Sequence, residues 1–188
     1  NRSLLEKRDN GLTLQNVIIE YSTTYLVEQV CREILEAAVD TFSANSQQPF
    51  LNRFALLKAQ AKVYVRQSQE RLILAPIGQR LMQQLGQAGV HARWPHLLGL
   101  WRAQRPPTPG YFAGNWLNLV LSLDFDLTGC DFSRLAIRQA YLARARLVNV
   151  NFSEAAFADT VFADEFGHIL TVAISPDGEL FAAAGTDT

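Results

Sequence analysis

Lysine is nearly missing from this chain. Lys7, Lys58 and Lys62 are the only three in 188 residues, and none stands beside a glycine-rich turn. No GxxxxGKS or GxxxxGKT segment occurs, so these residues build no phosphate-cradling loop of that kind. Cysteine is equally scarce. Cys31 and Cys130 lack CxxC spacing and have no histidine nearby, which disfavours a disulfide or a zinc site and predicts buried thiols in a reducing compartment. The histidines are His91, His96 and His168. The first two are five apart with no carboxylate close in sequence, so neither a metal pair nor a Ser-His-Asp set is expected. No apolar run approaches the ~20 residues of a membrane helix, and no signal-peptide pattern is present. The expectation is a cytoplasmic chain with no membrane partner.

Acid is absent between Arg71 and Leu123, where Arg71, Arg80, Arg93, Arg102 and Arg105 stand among Trp94, Trp101 and Trp116. After Leu123 come ten acids against four arginines. Arginines interleaved with tryptophans can bind nucleic acid. Five arginines over that length are sparse, however. The favoured reading is a helical layer with its tryptophans in the core and its arginines facing the acidic C-terminal half or water.

What is present most clearly is a period of five. From Phe125 to Asp164 the chain reads FDLTG, CDFSR, LAIRQ, AYLAR, ARLVN, VNFSE, AAFAD, TVFAD. The third residue of every block is large and apolar: Leu127, Phe132, Ile137, Leu142, Leu147, Phe152, Phe157 and Phe162. The first is apolar or small: Phe125, Cys130, Leu135, Ala140, Ala145, Val150, Ala155 and Thr160. Five matches neither the helical period of 3.6 nor the strand period of 2, so only stacked coils bring these positions to one interior. Asp126, Asp131, Asp159 and Asp164 fall at outward or corner positions, where they solvate and cap turns rather than form catalytic pairs. The blocks resemble the pentapeptide-repeat family. That resemblance implies a right-handed, four-sided β-helix with four blocks per coil, hence two coils here, with the wide Phe125 and Leu135 distorting the early corners. Residues 111–123 (YFAGNWLNLVLSL) read as an apolar helix suited to plugging the first coil.

Upstream the chain reads as helical. Residues 14–38 carry a stripe of Val27, Val30, Cys31, Ile34, Leu35 and Ala38. After a polar break at 40–49, a second helix is expected over 50–69, with Phe54, Leu57, Ala61, Tyr64 and Val65 on one side. A third is expected over 72–85, Pro76 either kinking it or marking its first turn. Gly86 and Gly89 end it, and a fourth runs near 91–104. RPPTPG at 105–110 is the strongest boundary.

Both ends read as parts of something larger. Residues 2–21 (RSLLEKRDNGLTLQNVIIEY) read as strand, turn, strand and helix. They resemble the end of the winged-helix domain in NB-ARC-type STAND ATPases, whose helix opens with a Met-His-Asp motif that reads the bound nucleotide. Leu14, Gln15 and Asn16 match those positions. The resemblance makes Gln15 and Asn16 nucleotide-sensor positions, although Gln15 carries no charge. Otherwise the two cap the helix start. Residues 167–187 (GHILTVAISPDGELFAAAGTD) resemble the first half of a WD repeat, with Gly167 and His168 as its Gly-His pair, Pro176, Asp177 and Gly178 as its turn, and Asp187 as its structural aspartate. A blade needs four strands. The hairpin is therefore expected either to continue the solenoid's sheet as a cap or to await further strands.

The expected fold class is α+β: a winged-helix-like tail and long helix (1–40), a helical region (41–110), a capping helix with the pentapeptide solenoid (111–166) and a partial WD hairpin (167–188). The order resembles cyanobacterial-type multidomain proteins in which an NB-ARC ATPase precedes a WD-repeat array. It implies a non-catalytic connecting segment, with protein partners or adjoining domains. It also implies no cofactor in this stretch and ADP or ATP bound elsewhere in the parent. The competing expectation is a stand-alone pentapeptide-repeat module that binds protein or nucleic acid.

Overall fold

The computed structural model describes residues 5–8, 11–37, 48–102, 110–163, 169–175 and 181–185. Strands β1 (Leu5–Arg8) and β2 (Gly11–Leu14) pair antiparallel, with Leu5 opposite Leu14 and Arg8 opposite Gly11. Helix α1 (Asn16–Glu36) follows at once and buries Val27, Val30, Cys31 and Ile34 of the expected stripe; Leu35 is half-buried, and Ala38 lies outside the described residues. Its C-terminal carbonyls end on a cation from far along the chain. Arg93 Nε donates to the C=O of Ile34 at 2.9 Å, and Nη2 donates to the C=O groups of Leu35 and Ala37. This satisfies orphaned carbonyls and places positive charge at the negative end of the helix dipole. Arg93 thus faces neither the acidic half nor water, as its position in the sequence suggested, but a helix end.

The single helix expected over 50–69 is two. Helix α2 (Phe50–Arg53) is one turn long, and α3 (Val63–Gln69) begins only after an irregular loop. Glu33 of α1 starts α2 by accepting from the N–H of Phe50 (2.6 Å) and Leu51 (3.0 Å). Burial raises the pKa of Glu33, and these two N–H groups lower it less than burial raises it.

A π-helical turn (Glu70–Leu74) joins α3 to helix α4 (Ala75–Arg102). Pro76 accounts for the turn. It offers no N–H to the carbonyl of Leu72 and its ring crowds that carbonyl, so the preceding turn widens. Gly86 breaks α4 at φ 64° and ψ 175°, values that only glycine adopts cheaply. The helix resumes directly and contains Pro95, so the third and fourth helices abut with no loop between them. The three tryptophans are packed against rings. Trp94 stacks on Trp116 (4.7 Å between centroids), and Trp101 stacks on Phe112 (4.3 Å).

Helix α5 (Phe112–Leu121) is buried along its length and packs against α2, α4 and strand β3 (Ala136–Arg138). From there the chain forms two hydrogen-bonded tiers. β3 pairs in parallel with β4 (Ala156–Ala158), and Ala136 lies opposite Ala156, twenty residues on. Asp131 bridges Asn151 and Tyr141 bridges Val161 at the same offset. The lower tier covers 125–144, and the described part of the upper tier covers 145–163. A second antiparallel hairpin, β5 (Ile169–Ile174) and β6 (Phe181–Gly185), carries a bulge between Ile169 and Thr171.

Leu127, Phe132, Ile137 and Leu142 of the lower tier are fully buried, and Leu147 and Phe152 are half-buried. Phe157 and Phe162, expected inside, are 40% and 50% exposed. Each tier buries its large residues only when something lies on both sides of it. Coverage from above the upper tier is missing among the described residues. Phe132 stacks on Phe152 at 5.6 Å, and Phe152, Phe157 and Phe162 continue edge-to-face at 5.4 and 5.0 Å.

A candidate coupling interface between helices and coils

The repeat corners are built by a rule beyond apolar spacing. Gly129, Arg134, Gln139, Asn149, Glu154 and Asp159 all have positive φ, and each is the last residue of its block. Five non-glycine residues in the left-handed region are costly individually, at roughly 1 kcal/mol each. They persist because the tier-to-tier hydrogen bonds fix every corner. At three blocks the second and fourth residues close an Asx turn: Asp126 Oδ1 accepts from Thr128 N (2.9 Å), Asp131 Oδ1 from Ser133 N (2.9 Å), and Asn151 Oδ1 from Ser153 N (3.0 Å). The Thr128 hydroxyl and then its N–H hold the Asp126 carboxyl below the ordinary carboxylate range; the Ser133 N–H and then its hydroxyl do so at Asp131, with Arg102 adding a smaller push.

The underside of the lower tier is an open sheet edge, and Asn118 closes it. Its Nδ2 donates to the C=O of Gln139 (2.7 Å), and its Oδ1 accepts from the N–H of Tyr141 (2.8 Å). A carboxamide offers one donor and one acceptor side by side, as a neighbouring strand would. Asn115, one helical turn earlier, faces the helices. Its Oδ1 accepts from Leu56 N (2.8 Å), and its Nδ2 donates to the C=O of Leu51 and of Phe54, both at 2.7 Å. Asn115 is 0% exposed and Asn118 4%. Gly114 lets α5 come this close, since a Cβ there would lie 1.7 Å from the Arg138 carbonyl oxygen.

Three further contacts span the junction. Gln139 Oε1 accepts from Ala59 N at 2.8 Å, and the Arg66 guanidinium lies 4.3 Å from the centre of the Tyr141 ring. Arg102 pairs with the Asp131 carboxylate at 3.2 Å and also donates to its carbonyl. The Arg102–Asp131 pair is an arginine facing the acidic C-terminal half, as the sequence suggested, and sequence reasoning missed the others. Its one local clue was the pair of asparagines three apart in an otherwise apolar segment.

An acid titration tests the Asp131 corner. Its folded pKa lies below its unfolded value, so its contribution to stability is complete above the ordinary carboxylate range. That contribution is lost as pH falls through the lowered folded value. Asp131→Asn keeps the Asx turn, as Asn151 demonstrates, but removes the titrating group. Its acid-unfolding limb, followed by circular dichroism, is expected to be shallower than that of the parent. Superimposable limbs would rule this out.

Of the other positions singled out in the sequence, Gln15 precedes α1 and makes no side-chain cap bond, so capping by Gln15 is not what starts the helix. Its C=O accepts from the N–H of Ile18 and Ile19 instead. Asn16 is the exposed first residue of α1. His168, Pro176, Asp177, Gly178 and Asp187 lie outside the described residues. Both cysteines are free thiols, and burial raises the pKa of each. Among the described residues no group of three His, Cys, Asp or Glu side chains could hold a metal ion. No helix among them is long and apolar enough to cross a membrane.

No protein-family profile matches the chain, and no solved structure matches it. It is similar to an uncharacterized WD repeat-containing protein of the cyanobacterium Nostoc sp., with 37% identity over 211 residues covering 99% of this chain. The chain spans 17% of that relative's length. The relationship links it to WD-repeat proteins and to cyanobacteria.

Proposed function

We propose that the chain is a non-catalytic connecting segment of a WD-repeat signalling protein. In this reading it couples a STAND-type nucleotide switch at one end to a WD-repeat sensor at the other and contacts protein partners. The observation that carries it is the buried Asn115–Asn118 pair, which binds the helical layer and the lower tier through one helix. A joint wired by hydrogen bonds on both sides transmits displacement rather than absorbing it. The two tiers are a short pentapeptide β-helix in this reading. The twenty-residue register, equal to four five-residue blocks, and the positive φ at block ends support it. The 37% identity to a WD repeat-containing protein supports the placement of the hairpin at the start of a blade. The alternative, a stand-alone module that grips protein or nucleic acid, is less well supported, because Trp94, Trp101 and Trp116 are committed to internal stacking or burial.

The test uses the full-length protein. Phe132→Asp with Phe152→Asp removes the tier interior and is expected to abolish the effect of a WD-domain partner on ATP turnover while leaving basal turnover intact. Undiminished coupling in a variant shown by proteolysis to have lost its tiers would refute the connecting role. Absence of ATP turnover in the parent would refute the nucleotide switch.

A further inference from the structure

A cleft of about 900 Å³ opens where α3 and the π-turn face the lower tier, with Leu57, Asn118 and Leu121 among its lining. Arg66 and Arg71 come from the helical wall, and Arg144 and Arg146 from the repeat wall. Three carboxylates, Glu70, Asp124 and Asp126, share the cleft with them. One of the three, Asp126, accepts the N–H and hydroxyl of Thr128 on its Oδ1, and Arg146 acts on it from beyond ion-pair distance.

Arg66 is half-buried and held in place by neutral groups. It donates to the carbonyls of Ala59 (3.4 Å) and Ala61 and to the Tyr141 hydroxyl (3.4 Å), and it lies over the Tyr141 ring. No carboxylate among the described residues lies within ion-pair distance of it, nor of the exposed Arg71 and Arg146. A fixed guanidinium whose charge is not neutralised, in a concave site, favours an anion. Arg144 marks the same place in the backbone. Among the block-final residues from Gly129 to Asp159 it alone lacks positive φ.

We propose that this cleft binds a small phosphate-bearing polyol. A tetrahedral phosphate can accept from guanidiniums on two opposing walls at once, whereas a planar carboxylate takes one fork in its own plane. Glu70 and Asp124, the remaining carboxylates, accept hydrogen bonds from hydroxyls and repel a more highly charged anion. The volume is ample for a sugar-sized body beside the phosphate. The walls belong to the helical layer and to the tiers, with Arg146 at the start of the upper one, so the ligand staples helices to tiers. This holds whether or not the parent is a nucleotide switch.

Ribose 5-phosphate is the probe, titrated calorimetrically into the intact chain at low salt. Saturable one-site binding is expected, weakened about tenfold or more by Arg71→Ala and by Arg146→Ala. Arg80→Ala, an exposed arginine outside the cleft, should leave it unchanged. Circular dichroism checks that each variant is folded. Absence of saturation, citrate binding as tight as ribose 5-phosphate, or an equal loss with Arg80→Ala would each overturn the assignment.

Discussion

Gly114→Ala is expected to destabilise the chain by about 3–5 kcal/mol, enough to prevent folding at ordinary temperature if the parent is marginally stable. The added methyl would sit 1.7 Å from the Arg138 carbonyl oxygen and 2.7 Å from its carbon. Both atoms belong to the backbone of β3, so no side chain can swing away. α5 must then lift, and lifting it breaks the bonds of Asn115 and Asn118 together. Gly99→Ala is the matched control. It also lies in a helix but has nothing within 4 Å of a new Cβ, so a gain of roughly 0.5–1 kcal/mol is expected. Urea unfolding of both variants reads the difference. A cost below about 1 kcal/mol at Gly114 would mean that α5 does not lie against β3 as described.

The second large effect is expected at Asn118. Replacement by leucine, similar in volume, leaves the Tyr141 N–H and the Gln139 carbonyl without their partner at a largely buried edge. Each orphaned group costs about 1–3 kcal/mol, so a loss of roughly 2–6 kcal/mol is expected. Hydrogen exchange makes the prediction specific. In Asn118→Leu the Tyr141 amide should lose protection while the Leu56 amide keeps it. Asn115→Leu should reverse the pattern, because Leu56 N–H donates to Asn115. Equal protection of Tyr141 in Asn118→Leu would show that the tier edge is closed by something else.

What could be read in the sequence followed the range of the forces involved. The α1 stripe was legible because burial of Val27, Val30, Cys31 and Ile34 is a one-face property of a continuous segment. The five-residue period placed Leu127, Phe132, Ile137 and Leu142 inside, since all the corners from Gly129 to Asp159 but that of Arg144 repeat the same local turn. The break between α2 and α3 was hidden. Phe54, Leu57, Ala61 and Tyr64 have helical spacing, yet Leu56 N–H goes to Asn115 and Ala59 N–H to Gln139. Those acceptors lie 59 and 80 residues away, and no local pattern announces them. Phe54 and Tyr64 are correspondingly exposed. Arg93 was misplaced for the same reason, because a helix end as acceptor leaves no mark beside the arginine. The exposure of Phe157 and Phe162 follows from which neighbour lies above them, a matter of stacking order rather than of residue type.

The offset of twenty between paired residues also governs which changes of length the chain can absorb. Deleting one five-residue block from the upper tier would slide every later residue by one corner. Ala156 would no longer face Ala136, and whatever follows the tiers would leave in a different direction. Inserting four blocks would instead keep the pairing phase and lengthen the stack by one sheet spacing, about 4.8 Å. Length variants that keep this phase are therefore quantised in steps of four blocks. Smaller steps turn the chain's exit from the tiers by one corner each, so direction here is set by a count of blocks rather than by any one side chain.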